Sequence, residues 1–393
     1  MPMSGVLTEH RDGGDLGLLR TIATAVIRLA DATGPQALSV PYDSEAVRAL
    51  NGTVLACLKL GAEPPASLPD LLLWCRTRPL EDWPLDLPED AFGPDDRLID
   101  EQSGEPTQLC HEWWVGGRDS AAAEFDRAVI HSAMKRCQEA SSPESYSAFR
   151  RLLVTAPLLT SDKELEIATD LYLEPVRELL ALAYAPAPLG YCRRGKFVTC
   201  GRCGTLLTPT LDEGWWCERD QCRSRGPAPL GREHPATGTG ALLYLVRPLR
   251  HFVTGPGLAE IELERRLRAM HGLRVEMWPG YDAYDIRITF PDNHVWAVDV
   301  KDWAHPGLLG QAARPVPPEP PYDEAFWVVP QFRVDTRRDY LGIFARHRAA
   351  RAGNLPLLTD RALVAAAAAR LRQSTRSDSV TDSNHETERE PDA

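Results

Sequence analysis

The sequence predicts a multidomain chain: an α-helical N-terminal domain (residues 1–190), a small Cys-rich ribbon (191–230), a C-terminal α/β core (231–373) and a disordered tail (374–393). Three observations predict it. Apolar residues recur at helical spacing through the first half, five cysteines crowd between Cys192 and Cys222, and two segments around Asp285 and Asp299 alternate polar with apolar residues as half-buried strands do.

A chain of 393 residues is long enough for two or three domains, each burying its own core without disulfide staples. No run of about 18 apolar residues occurs, and Met1 to Arg20 lacks the basic-then-apolar order of a secretory signal, so a soluble cytoplasmic protein without membrane contact is expected. The net charge of −12 is not that of a nucleic-acid binder, but it is unevenly spread. Residues 1–190 hold 16 basic and 30 acidic side chains, 191–230 hold 7 and 4, 231–372 hold 19 and 16, and 373–393 hold 2 and 6. The acidity lies outside the C-terminal core, which leaves that half free to meet a polyanion.

In the helical domain the periodicity predicts helices over Leu16–Ala30, Glu45–Leu60, Ala121–Cys137 and Glu164–Tyr184, interrupted by a Pro- and acid-rich loop from Pro79 to Thr107. Nothing in it has a catalytic pattern; docking of a partner is one role open to it. From Leu258 onward the order is helix, three strands, a Pro-rich loop at Arg314–Pro321, a strand at Phe326–Val329 and a helix around Tyr340–Ala352. An Ala-rich helix over Arg361–Arg372 then precedes a tail rich in Ser, Thr, Asp and Glu, a composition that cannot build a core.

In the ribbon, Cys200-Gly201-Arg202-Cys203-Gly204 is a tight turn aiming two sulfurs at one point, and Cys217 with Cys222 offers a second pair. Four thiolates match the tetrahedral preference of Zn²⁺ and leave no open position, so the expected site is structural. Cys192 is left over. Trp215 and Trp216, with Arg193, Arg194, Lys196, Arg202, Arg219, Arg223 and Arg225, form either a nucleic-acid contact surface or ordinary packing against the neighbouring domain.

The segments Asp285–Phe290 and Val295–Lys301 read as a hairpin closed by Pro291, Asp292 and Asn293, because Pro suits the first loop position and Asn tolerates a left-handed backbone at the last. That register sets Phe290 opposite His294, Ile288 opposite Trp296, Ile286 opposite Val298 and Asp285 opposite Asp299. Ile286, Ile288, Phe290, Trp296, Val298 and Val300 then share an apolar face, and Asp285, Arg287, Asp299 and Lys301 share the other. Two carboxylates facing each other across a ladder repel unless a cation lies between them, and oxygen ligands of this kind suit Mg²⁺ or Mn²⁺. Lys301 would orient a water or neutralise developing charge. A third acid is expected from the preceding helix, where Glu260 borders the apolar stripe of Leu263, Leu267 and Met270; Glu264 is the close second, and Glu262 points to solvent.

The order helix with Glu260, Asp285, then Asp299-Val-Lys301, then a helix and the strand Phe326–Pro330, resembles the PD-(D/E)xK superfamily of restriction-endonuclease-like nucleases with its αβββαβ core. Tyr284 stands where that family often has Pro, and Asp299 where it often has Glu. The resemblance covers about residues 250–350. It implies a Mg²⁺-dependent endonuclease with Glu260, Asp285, Asp299 and Lys301 as catalytic residues, acting on DNA, with RNA or an RNA–DNA hybrid as alternative substrates and a homodimer as one arrangement. The helical front part, Cys-rich ribbon and nuclease core together resemble the nuclease encoded beside a Piwi-like protein and a helicase in prokaryotic pPIWI-RE systems. That implies a role in defence against foreign DNA. A non-catalytic zinc-ribbon adaptor that binds nucleic acid is the competing expectation.

Overall fold

The computed structural model describes residues 15–31, 40–115, 121–236 and 242–385; residues 386–393, at the end of the expected tail, lie outside the described residues. The chain forms two compact units, Met1–Ser120 and Ala121–Ala393. The first is helical: α1 (Leu16–Asp31), α2 (Ser44–Leu60), α3 (Leu68–Thr77) and α4 (Gln108–Val115). Asp43 caps α2 by accepting from the Glu45 N–H, and Gly61 ends it in the left-handed conformation that an L side chain resists. Leu19, Ile22, Val26, Cys57, Leu71, Trp74 and Trp113 are buried.

The second unit opens with α5 (Ala121–Glu139), α6 (Pro143–Thr155), α7 (Ser161–Thr169) and α8 (Arg177–Ala183). The helix expected over Glu164–Tyr184 is broken in two. Asp170 turns its carboxylate onto the Tyr172 N–H, and the following turn, Leu171–Val176, carries Pro175, which supplies no donor to a continuing helix. Short strands β1 (Leu158–Leu159), β2 (Tyr184–Pro186), β3 (Cys192–Arg193), β4 (Lys196–Cys200), β5 (Leu207–Pro209), β6 (Trp215–Cys217), β7 (Leu230–Pro235) and β8 (Leu243–Leu245) follow. They make three small sheets, β1-β8-β2, β3-β4-β7 and β5-β6. A one-turn helix, α9 (Asp220–Arg223), closes the cysteine knuckle.

The main sheet is built from β9 (Arg274–Met277), β10 (Ile286–Thr289), β11 (Val295–Val300), β12 (Glu324–Val329) and β13 (Leu357–Thr359), in the order β13-β12-β11-β10-β9. β9, β10 and β11 are antiparallel, whereas β12 and β13 run parallel to β11. With α10 (Gly255–Arg268) before β9 and α11 (Pro306–Ala312) between β11 and β12, the helix–three strands–helix–strand order read from the sequence is present. β13 extends it; three residues in a Pro-flanked stretch carry too little periodicity to announce a strand. Helices α12 (Gln331–Thr336), α13 (Tyr340–His347) and α14 (Asp360–His385) complete the unit, α14 running beyond the Arg372 end expected from its alanines.

The hairpin has the expected register: Ile286 pairs with Val298 and Ile288 with Trp296, Phe290 N–H donates to His294 O, and Asn293 has a φ of +63°. The faces differ from expectation. Ile286, Ile288, Phe290, Trp296, Val298 and Val300 do share one core, with residues of α5, α6, α10 and α14. The opposite face is covered as well, by a second core in which Ala297, Trp327 and Val329 meet Leu309, Tyr340 and Phe344. Parallel strands with crossover helices are buried on both sides, so the polar residues gather at the strand ends rather than along an open face.

Candidate active site and metal centre

The site assembles where β10 begins and β11 ends. Continuing the hairpin register one step past Ile286 and Val298 brings Asp285 opposite Asp299. Asp285 is 7% exposed and accepts a hydrogen bond from the Val300 N–H at 2.5 Å. Burial, then the charges of Glu260 and Asp299, push its carboxyl well above the usual carboxylate range. Asp299 and Lys301, with side chains 14% and 23% exposed, form the open side of the group, the ammonium donating to Asp299 Oδ1 at 2.6 Å. Burial pulls the Lys301 ammonium down, but Asp299 and Asp285 outweigh it and hold the group charged. Arg287, placed on the same face by the sequence, is taken up by the Tyr284 hydroxyl and the Pro321 carbonyl.

On α10, Glu260 is buried and accepts from Trp278 Nε1 at 2.6 Å. Its charge acts on Asp285 and Lys301. Glu264, one turn later, is buried too but is spoken for by Arg151 (2.9 Å) and Arg268 (3.0 Å). Glu262 is exposed and pairs with Arg265. Of the helix acids, therefore, the structure brings Glu260 to the aspartates.

Four side chains at this site carried no sequence signal: Tyr146 and Arg150 on α6, and Trp278 and Asp282 in the turn before β10. Trp278, Gly280, Tyr281 and Asp282 all have positive φ, which folds Trp-Pro-Gly-Tyr-Asp into a tight loop. The Pro-Gly pair marks a turn but not where its Asp will point. Asp282 accepts from the Tyr146 hydroxyl at 2.8 Å and lies 3.2 Å from Arg150 Nε.

The cysteines make a second, separate centre. Cys200 ends β4, Cys203 follows in a knuckle closed by Gly204 at φ +75°, Cys217 ends β6 and Cys222 sits in α9. One ligand atom from each lies within 4.8 Å of all the others, a set suited to a tetrahedral thiophilic ion and consistent with structural zinc. Contacts among the sulfurs pull the Cys200 thiol far down and push the Cys217 thiol far up, so this group cannot be charged together without a cation. Cys192 is outside it, against the cluster of Tyr191, Phe197, Leu206 and Tyr244.

Most of the ribbon's cations and tryptophans are used internally. Arg193 donates to the carbonyls of Glu213, Gly214 and Thr210, and Arg202 to those of Cys222, Arg225 and Gly226. Arg223 donates to Cys217 O and lies 4.6 Å from the buried Trp216 ring, while Arg219 is buried beside Asp302. Packing accounts for Arg202, Arg219, Arg223 and Trp216, whereas Arg194, Lys196 and the half-buried Trp215 line an open groove.

The mixed five-stranded sheet with acids at the β10–β11 end, preceded by a four-cysteine cluster suited to a metal ion, lies in the region matched as a restriction-endonuclease-like domain. Two family models match parts of the chain. Residues 257–375 match the family model described as "REase associating with pPIWI_RE", and residues 18–160 match that described as "pPIWI_RE three-gene island domain Y". No curated protein and no solved structure matches the chain. Among the described residues no helix is long and apolar enough to cross a membrane.

Proposed function

We propose that the protein is a metal-dependent endonuclease that hydrolyses phosphodiester bonds in DNA, with Glu260, Asp285, Asp299 and Lys301 at its active centre. One observation carries the reading: within a domain matched by a restriction-endonuclease family, three carboxylates and an ammonium group meet near the strand ends, and Asp285 is buried against the charges of Glu260 and Asp299. Such a group is costly without a cation, and its donors are all oxygen.

Asp285 and Asp299 would hold Mg²⁺ or Mn²⁺, which supplies charge stabilisation and a more acidic water. The protein's own part is positional. The Val300 N–H fixes the Asp285 carboxylate, Trp278 fixes Glu260, and Lys301 keeps a proton-bearing cation where negative charge would develop at phosphorus. The neighbourhood named by the two family models supports a role in prokaryotic defence against foreign DNA beside a Piwi-like protein and a helicase, with the thiol cluster holding zinc as a staple. Nicking of supercoiled plasmid with Mg²⁺ or Mn²⁺ tests this. EDTA is expected to stop it, and Asp299→Ala or Lys301→Met to slow it by about a hundredfold or more while folding is kept. Cleavage by Asp299→Ala at the parent's rate would end the assignment.

A further inference from the structure

We propose that Arg150, on α6, is a positioning residue of this site: its guanidinium sets the Glu260 and Asp282 carboxylates, so the restriction-endonuclease-like domain is completed by a helix that precedes it in the chain. The inference rests on the nuclease reading above and adds a residue and a dependence that the reading does not contain. Glu260 and Asp282 fall within residues 257–375, whereas Arg150 and Tyr146 fall within residues 18–160, the segment matched by the other family model.

The geometry points to this role. Arg150 has a side chain only 8% exposed, lies 3.6 Å from Glu260 Oε1 and 3.2 Å from Asp282 Oδ2, and has its guanidinium carbon 5.6 Å from the Trp278 ring. Trp278 itself holds the other Glu260 oxygen. The carboxylate is thus held from two sides, one of them supplied by α6. A buried cation is placed so deep only where carboxylates meet it, and a planar fork can address two of them at once. Nε makes no well-aligned hydrogen bond despite its burial, which leaves the guanidinium held by charge and stacking rather than by a closed network. The approach of the helices is built for the contact. A Cβ on Gly257 of α10 would stand 2.3 Å from Val154 Cγ2 of α6, so with Val154 in place glycine at 257 is what lets the two helices approach this closely.

The test uses full-length protein and two readouts, Mn²⁺ binding followed by electron paramagnetic resonance of the free ion and plasmid nicking. Residues that orient ligands typically change metal affinity or activity about 10- to 100-fold, so Arg150→Met is expected to weaken Mn²⁺ binding by about tenfold or more. Arg150→Lys, which keeps the charge without the fork, should recover part of that loss. The double variant Arg150→Met/Glu260→Gln should bind and nick no worse than Glu260→Gln alone, because one residue acts through the other. The double variant removes both buried charges, so it remains informative where Arg150→Met alone fails to fold. The inference is overturned if Arg150→Met binds Mn²⁺ as the parent does, or if the two single effects multiply. Should Asp299→Ala nick like the parent, the nuclease assignment falls instead, and the Mn²⁺ comparison still decides the role of Arg150.

Discussion

Asp285 sits where a carboxylate is least comfortable: buried, facing the charges of Glu260, Asp299 and Asp282, and relieved by Lys301, by Arg150 and by one backbone donor. A neutral amide of the same shape keeps the Val300 contact and removes the repulsion. Asp285→Asn is therefore expected to raise the melting temperature of metal-free protein by a few degrees, roughly 1 kcal/mol, while abolishing cleavage. Thermal melts in EDTA beside a nicking assay check both halves; an unchanged or lowered melting temperature would mean the acids are not in conflict. A second expectation concerns acid. Glu218 has a side chain only 9% exposed; desolvation pushes its carboxyl up, but Arg250 at 2.9 Å and then Arg247 and Arg219 more than reverse this, so its folded value lies below the ordinary one. A depressed carboxylate contributes stability that is present above its unfolded value, about 4.3, and is lost as pH falls through the folded value. The melting temperature should drop below pH ~4, and Glu218→Gln should flatten that slope. Of the candidate site residues, Glu260, Asp285, Asp299 and Lys301 could be named from the sequence, because a period-two pattern and a helical wheel assign faces. Arg150, Tyr146 and Asp282 were invisible to it, since each reaches the site through a contact between segments more than a hundred residues apart or through a turn of left-handed residues.

At the scale of elements, two junctions decide how the site is framed. The first is the α6–α10 contact at Gly257. Gly257→Ala drives a methyl group into Val154, and overpacking of this kind typically costs about 1–3 kcal/mol. Chemical denaturation should show that loss, and Val154→Ala in the same chain should restore much of it. The second junction joins the cysteine knuckle to the end of β11. Arg333 of α12 binds Asp220 of α9 and Asp302, the residue after Lys301, at 2.7 Å, and Arg219 lies 3.6 Å from Asp302. Arg333→Met would leave the buried Asp302 and the partly exposed Asp220 without their main cation, and removing one partner of a buried pair costs about 3–5 kcal/mol. A loss under 1 kcal/mol in denaturant titration would show that the acids find solvent instead. The hairpin register was legible because loop chemistry and the apolar pattern agreed. The ion pairs were not, because a lone Asp after Lys301 and a lone Arg in α12 have no pattern to be read from.

For the whole molecule, the periodicity of residues 121–184 identified helices but not the core they enter. Val129, Tyr146, Phe149, Leu153 and Val154 of α5 and α6 are buried in the same cluster as Leu263, Ile286, Val298 and Val328. Apolar pattern tells which face of a helix is inward, not which sheet it meets. A fragment of residues 257–375 alone would bare that surface to water and is expected to be insoluble, whereas a fragment beginning at Ala121 keeps the compact unit. Soluble yield and melting cooperativity of the two fragments check this. The shared core also bears on how such a gene can be divided. A break in the reading frame between codons 160 and 257 would not yield two independent products: one polypeptide would carry α6 as an unpaired key and the other its empty lock, and the pair would regain stability only by finding each other again.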